Sequence, residues 1–132
     1  MKSLLSYILF LSLLLTATIS AQTYYVDPLI GNDNYDGLSP SVISSESGPL
    51  KTINHALSRA NDNDIVILAD GTYTPIDGTD EEGIFINDKN IILQSANGPD
   101  NCVIDCRSIE YGPICSVSTR KFLIKGLTFK KA

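Results

Sequence analysis

The sequence predicts an all-β chain, a fragment of a parallel β-solenoid with one short α-helix near its N-terminal end, and three observations predict it. The second half is a succession of short apolar runs, "DIVIL", "GIFIN", "NIILQS", "CVIDC", "ICSVS" and "FLIKGLTF", separated by polar or Gly-rich turns. These runs also repeat. Ile84 to Leu93 aligns with Cys115 to Ile124 at an offset of 31 residues, which puts Ile86 over Val117, Ile91 over Phe122, Ile92 over Leu123 and Leu93 over Ile124. "DIVIL" from Asp64 aligns with "NIILQ" from Asn90 at an offset of 26. Unequal offsets of this size suit solenoid turns of differing length, with a small antiparallel β domain as the alternative. The third observation is that helical spacing occurs once, at Ile53, Ala56, Leu57 and Ala60.

Taken in order, Lys2 precedes the apolar run Leu4 to Leu15, which is followed by small and polar residues through Ala21. That is the pattern of a secretory signal peptide, residues 1–21, and the run is well short of the ~20 residues an anchor needs. Cleavage after Ala21 leaves Ile19 three positions back, larger than the motif prefers, so cleavage after Ser20 stays open. "TYYVDP" reads as a first strand stopped by proline. The loop "GNDNYDGLSP" and the Ser-, Pro- and Gly-rich stretch Ser39 to Pro49 complete a strand-and-loop region over 22–49. A helix follows over 52–60, with Thr52 as N-cap and His55 on its polar side, where an unpartnered histidine is a solvated residue. The strands occupy 64–132, and Ile65 to Leu68 reads as a strand buried on both faces.

The mature chain, Gln22 to Ala132, is one small domain. Removal of Lys2 leaves nine basic and fifteen acidic residues, a net charge of −6 that argues against a nucleic-acid partner. The charge is uneven: the acids lie almost wholly before Cys106, whereas Arg107, Arg120, Lys121, Lys125, Lys130 and Lys131 lie after it against Glu110 alone. This basic region reads as a solvated face. No Asn-X-Ser/Thr sequon occurs, so N-glycosylation is not expected.

An exported chain with three cysteines raises the question of a disulfide. Cys102 and Cys106 sit in one extended run whose four steps span ~13 Å, beyond the ~7 Å a bridge tolerates. Any bridge must therefore use Cys115, and Cys106 to Cys115 is favoured because Gly112 and Pro113 turn the chain between them. Three cysteines without C-x-x-C spacing, with His55 as the sole histidine, do not make a zinc set.

"TYYVDPLIGNDNYDGLSP" followed by "PLKTINHALSRANDNDIVILADGTYTP", "IILQSANGPDNCVID" and "FLIKGLTFKKA" resembles the N-terminal part of a pectin-lyase-like right-handed parallel β-helix protein. The resemblance covers Thr23 to Phe129. It implies that the helix plugs the open end of a right-handed solenoid, that the segment ending Gly71-Thr72-Tyr73 forms the first coil, and that later coils follow. It does not specify a function, because that architecture hosts lyases, hydrolases, adhesins and surface proteins alike.

Asn32, Asn34, Asp36 and Gly37 match the first half of a calcium loop, and calcium is the one cofactor the spacing suggests. The twelfth position is Ile43, where a bidentate acid should complete the shell, so a structural turn is the preferred reading and no cofactor is expected. A lyase of this architecture needs stacked carboxylates and a base. Strand alternation turns Val103, Asp105 and Arg107 outward, which makes Asp105 and Arg107 the only acid and base pair on an evident strand. Without a second carboxylate at an equivalent position they read as surface charges. Asp77, Asp80, Glu81 and Glu82 read as a solvated loop. No G-x-S-x-G, H-E-x-x-H or G-x-x-x-x-G-K-[ST] is present.

Two functions are therefore expected from the sequence. The first is a secreted, non-catalytic segment that binds surface glycans or other carbohydrate, or is the start of a longer extracellular protein. The second is a carbohydrate-active enzyme, a polysaccharide lyase of pectate-lyase type or a glycoside hydrolase, acting on acidic polysaccharide. No membrane span is expected after signal cleavage. Self-association is expected through the last strand, "FLIKGLTF", for which the sequence shows no capping element.

Overall fold

A computed structural model describes residues 20–74, 83–86, 88–106, 115–117 and 121–130, with 115–117 described as backbone only. The chain enters as β1 (Thr23–Val26), whose β-branched and aromatic residues suit a pleated surface and which Pro28 follows. A long loop then leads to α1 (Ile53–Arg59), where Thr52 has extended backbone and its hydroxyl accepts from the His55 amide. After α1 come β2 (Ile65–Leu68), β3 (Gly71–Tyr73), β4 (Ile84–Ile86), β5 (Ile92–Ser95), β6 (Cys102–Asp105), β7 (Cys115–Val117), β8 (Leu123–Lys125) and β9 (Thr128–Lys130). Two of the expected runs are divided. "DIVILADGTY" bends at Ala69 and Asp70 after β2 ends, and Gly71 opens β3. "FLIKGLTF" breaks at Gly126, whose φ of +63° lies in the left-handed region and whose Cβ position falls 2.6 Å from the Ser95 hydroxyl.

Every pairing among the described strands is parallel, which removes the antiparallel alternative. The strands order as β1-β2-β5-β8, β3-β6-β9 and β4-β7. The 31-residue offset is the actual register: Ile84 pairs with Cys115, Ile86 with Val117, Ile92 with Leu123 and Leu93 with Ile124. The other offset is corrected by one residue, since Ile65 pairs with Ile92 and Val66 with Leu93. The cause is burial. Val66 and Leu93 are both fully buried, whereas matching by letter would set Val66 beside half-buried Ile92 and turn one strand's apolar set outward. β2 is likewise buried on one face, through Val66 and Leu68, with Ile65 and Ile67 half-buried on the other.

The all-β solenoid class, a right-handed parallel β-helix fragment with a capping helix, is corrected by this arrangement to a small α/β-like domain. The strands are only three or four residues long and are divided among separate short sheets, and the helix supplies Ile53, Ala56 and Leu57 to the same core as Val66, Leu68, Ile84, Ile86, Leu93 and Ile104. Chain segments 75–82, 107–114 and 118–120, which would have to complete successive coils, lie outside the described residues. The periodic signal in the sequence is a signal of parallel register.

Polar side chains tie α1 to the strands at defined points. Asn54 donates to the Gly83 carbonyl at 2.8 Å and accepts from the Phe85 amide at 3.2 Å, which fixes β4 against the helix. The Lys89 ammonium donates to the carbonyls of Leu57 and Ser58, placing a cation at the negative end of the helix. Asp64 is the one buried charged residue among those described; its carboxylate accepts from the Gln22 and Asn61 amides, both at 2.7 Å. It joins the entry of β1 to the exit of α1.

Candidate binding surface

The loop between β1 and α1 is held by its own side chains. Asn32 accepts from the Asn34 amide at 2.9 Å, and Asp36 accepts from the amides of Leu38 at 3.0 Å and Gly48 at 3.3 Å. The Leu38 amide holds the Asp36 carboxyl below the ordinary carboxylate value, with smaller help from Ser47, Gly48 and the Arg59 charge. Gly37 takes a φ of +77°, and the Leu50 side chain lies 2.9 Å from where its Cβ would be. Asn32, Asn34 and Asp36 thus form turns. Asp33, which the calcium pattern skips, accepts from the amides of Lys51 and Thr52 and from the Thr52 hydroxyl. The Arg59 guanidinium on α1 completes the loop by donating to the carbonyls of Tyr35 and Asp33. Among the described residues no group of three or more His, Cys, Asp or Glu side chains is placed to hold a metal.

The other expected site residues are spread out. Asp105 lies half-buried at the end of β6 and is in register with Lys130; Arg107 lies outside the described residues, as do Asp77, Asp80, Glu81 and Glu82. Cys102, Ile104 and Cys106 point inward as strand alternation requires, and all three are fully buried. The Cys106 thiol lies 3.6 Å from the Ile104 carbonyl, and the side chain of Cys115, its expected disulfide partner, is outside the described residues. Burial, and after it the Asp70 charge, pushes the Cys102 thiol up to about 11. Tyr73 packs nearby with its hydroxyl between the Ala69 carbonyl at 2.8 Å and the Val26 carbonyl at 3.1 Å. His55 is half-buried on α1.

The surface feature that sequence reading missed is a cavity of about 100 Å³ against the outward face of β1 and β2, lined by Tyr25, Asp27, Pro40, Pro49, Ile67 and Ala96 among others. Parallel register extends this face as a row, Tyr25 to Ile67 to Gln94 to Lys125, across four strands. The row starts apolar at the cavity and becomes polar away from it. Alternation within "TYYV" marks Tyr25 as facing away from Tyr24 and Val26, but no pattern in the sequence announces that Pro40 and Pro49 return to wall it. One oxygen of the Asp27 carboxylate, Oδ1, accepts from the amides of Leu29 and Ile30. No helix among the described residues is long and apolar enough to cross a membrane. No family model, curated protein or solved structure matches this chain.

Proposed function

We propose that this chain is an exported, non-catalytic binding module that engages glycan through the outward face of β1-β2-β5-β8. The observation that carries this reading is the cavity walled by Tyr25, Pro40, Pro49 and Ile67, continued in register by Gln94 and Lys125. A sugar ring has an apolar C–H face and a rim of hydroxyls. A tyrosine and two prolines suit the first, and an amide with an adjacent ammonium suits the second. The apolar run Leu4 to Leu15 behind Lys2 supports export.

The test is an NMR titration of the purified chain with an oligogalacturonide and with a neutral oligosaccharide, with calcium present. Amide shifts confined to residues around Tyr25, Ile67 and Gln94, lost in Tyr25→Ala and Gln94→Ala variants of unchanged melting temperature, are the expected result. Absence of shifts on this face with both sugars would overturn the binding reading. Release of unsaturated product from the oligogalacturonide would overturn the non-catalytic one.

A further inference from the structure

The buried Asp64 carboxylate, 4% exposed, accepts one bond on each oxygen: Oδ1 from the Gln22 amide and Oδ2 from the Asn61 amide, both at 2.7 Å. Both donors are neutral, whereas a carboxylate taken out of water is held best by a cation that also hydrogen-bonds to it. Backbone bonds fix the position of the acid and of its first donor. The Asp64 carbonyl accepts from the Ile92 amide at 3.1 Å, and the Gln22 carbonyl accepts from the Ile65 amide at 2.9 Å. The Gln22 nitrogen is thus aimed at a buried acid one residue before β1 begins. Ser20 and Ala21, which precede it, are exposed and belong to no strand.

We propose that removal of the leader between Ala21 and Gln22 turns this nitrogen into an α-ammonium group whose partner is Asp64, so that processing installs a cation in a site the fold has already built. The proposal rests on the export reading above. It selects the bond before Gln22 over the bond before Ala21, because cleavage at the latter leaves the Gln22 nitrogen a neutral amide.

The pair has a chemical consequence. An N-terminal glutamine can close to pyroglutamate: the α-nitrogen lone pair attacks Cδ, the N–Cδ bond forms, the Cδ–Nε2 bond breaks, and ammonia leaves with a proton from the α-nitrogen. An ammonium bound to Asp64 has no lone pair to give. The Gln22 carboxamide is also engaged elsewhere, donating from Nε2 to the Thr23 carbonyl at 3.2 Å. Asp64 therefore keeps the new terminus open and charged.

The test compares two chains of wild-type sequence, one starting at Gln22 and one at Ser20, in which the Gln22 nitrogen is an ammonium and an amide respectively. The Gln22 chain should have an unfolding equilibrium constant roughly tenfold smaller, the scale of a charge-assisted hydrogen bond. Asp64→Asn should abolish that difference between the two starts. The same pairing lowers the fraction of unprotonated amine, so mass spectrometry should show ammonia loss from the folded Gln22 chain about tenfold slower than from its Asp64→Asn variant. A hydrogen bond of purely structural role would leave those two rates equal. Equal stability of the two starts, or equal rates of cyclisation, would overturn the pair; if Asp64→Asn fails to fold, the two wild-type starts decide it alone. In exported material, a chain beginning at Ala21 would overturn the choice of bond. Material that keeps Met1 and stays in the cell would overturn the export reading, and with it the origin of the terminus, whatever the result in vitro.

Discussion

Cys102 shows how a single side chain can carry a pH dependence for the whole domain. Its thiol is fully buried on β6, in register with Gly71, where only a glycine brings the backbone under Pro28. Burial and the neighbouring Asp70 charge raise it from 9.0 to about 11. Between those values the folded chain holds a proton that the unfolded chain has released, so stability falls as pH rises through that window and is level below it. Tyr73, pushed above the ordinary phenol range chiefly by its burial, adds a loss of the same sign from its unfolded value of 10.0 upward. Urea midpoints for wild type should therefore decline from about pH 9 to about pH 11, and Cys102→Ala should delay the onset toward the tyrosine range. An unchanged alkaline profile in Cys102→Ala would show that the thiol is not held protonated by the fold. The inward direction of Cys102 was legible in "CVIDC" from alternation alone. Its proximity to Asp70 was not, because that depends on which strands pair.

α1 is the element that the sequence described most completely. Thr52 as cap and Ile53, Ala56, Leu57 and Ala60 as the buried face all follow from spacing, and the helix spans Ile53–Arg59. Leu57→Ala should cost about 2–5 kcal/mol, as a core truncation that leaves a hole against the strands. His55→Ala should be near neutral by the same urea midpoint, since that side chain is half-buried on the polar side. Equal midpoints for the two variants would mean that α1 does not share the core. What spacing could not show is how the helix is tied down, through Asn54 to β4, Lys89 to its carboxyl end and Arg59 to the loop. Those partners lie 24 or more residues away in sequence, and no local pattern encodes them. The same limit produced the one-residue error between β2 and β5: letters align at 26, but burial of Val66 with Leu93 decides the register at 27.

Across the whole molecule the parallel stack is graded. Leu50, Val66, Leu68 and Leu93 have no exposed surface, while Leu123 and Phe129 at the far side are 44% and 39% exposed, and β8 and β9 contribute no residue to the fully buried set. Parallel strands gain stability from what covers their faces, so the strands nearest α1 should open only with global unfolding and the far pair by local fraying. Amides of 65–68 and 92–95 should then exchange at the rate set by the global unfolding free energy, and those of 123–125 and 128–130 much faster. Mutation should report the same gradient. Leu93→Ala removes a fully buried side chain and should cost about 2–5 kcal/mol. Phe129→Ala removes one that keeps much of its contact with water already, and its cost should stay below about 1.5 kcal/mol, well under the ~3–5 kcal/mol of a phenylalanine truncated in a closed core. A Phe129→Ala variant as damaged as Leu93→Ala, with uniform protection along the stack, would mean that the chain unfolds as one unit and that β9 is as firmly held as the strands beside the helix.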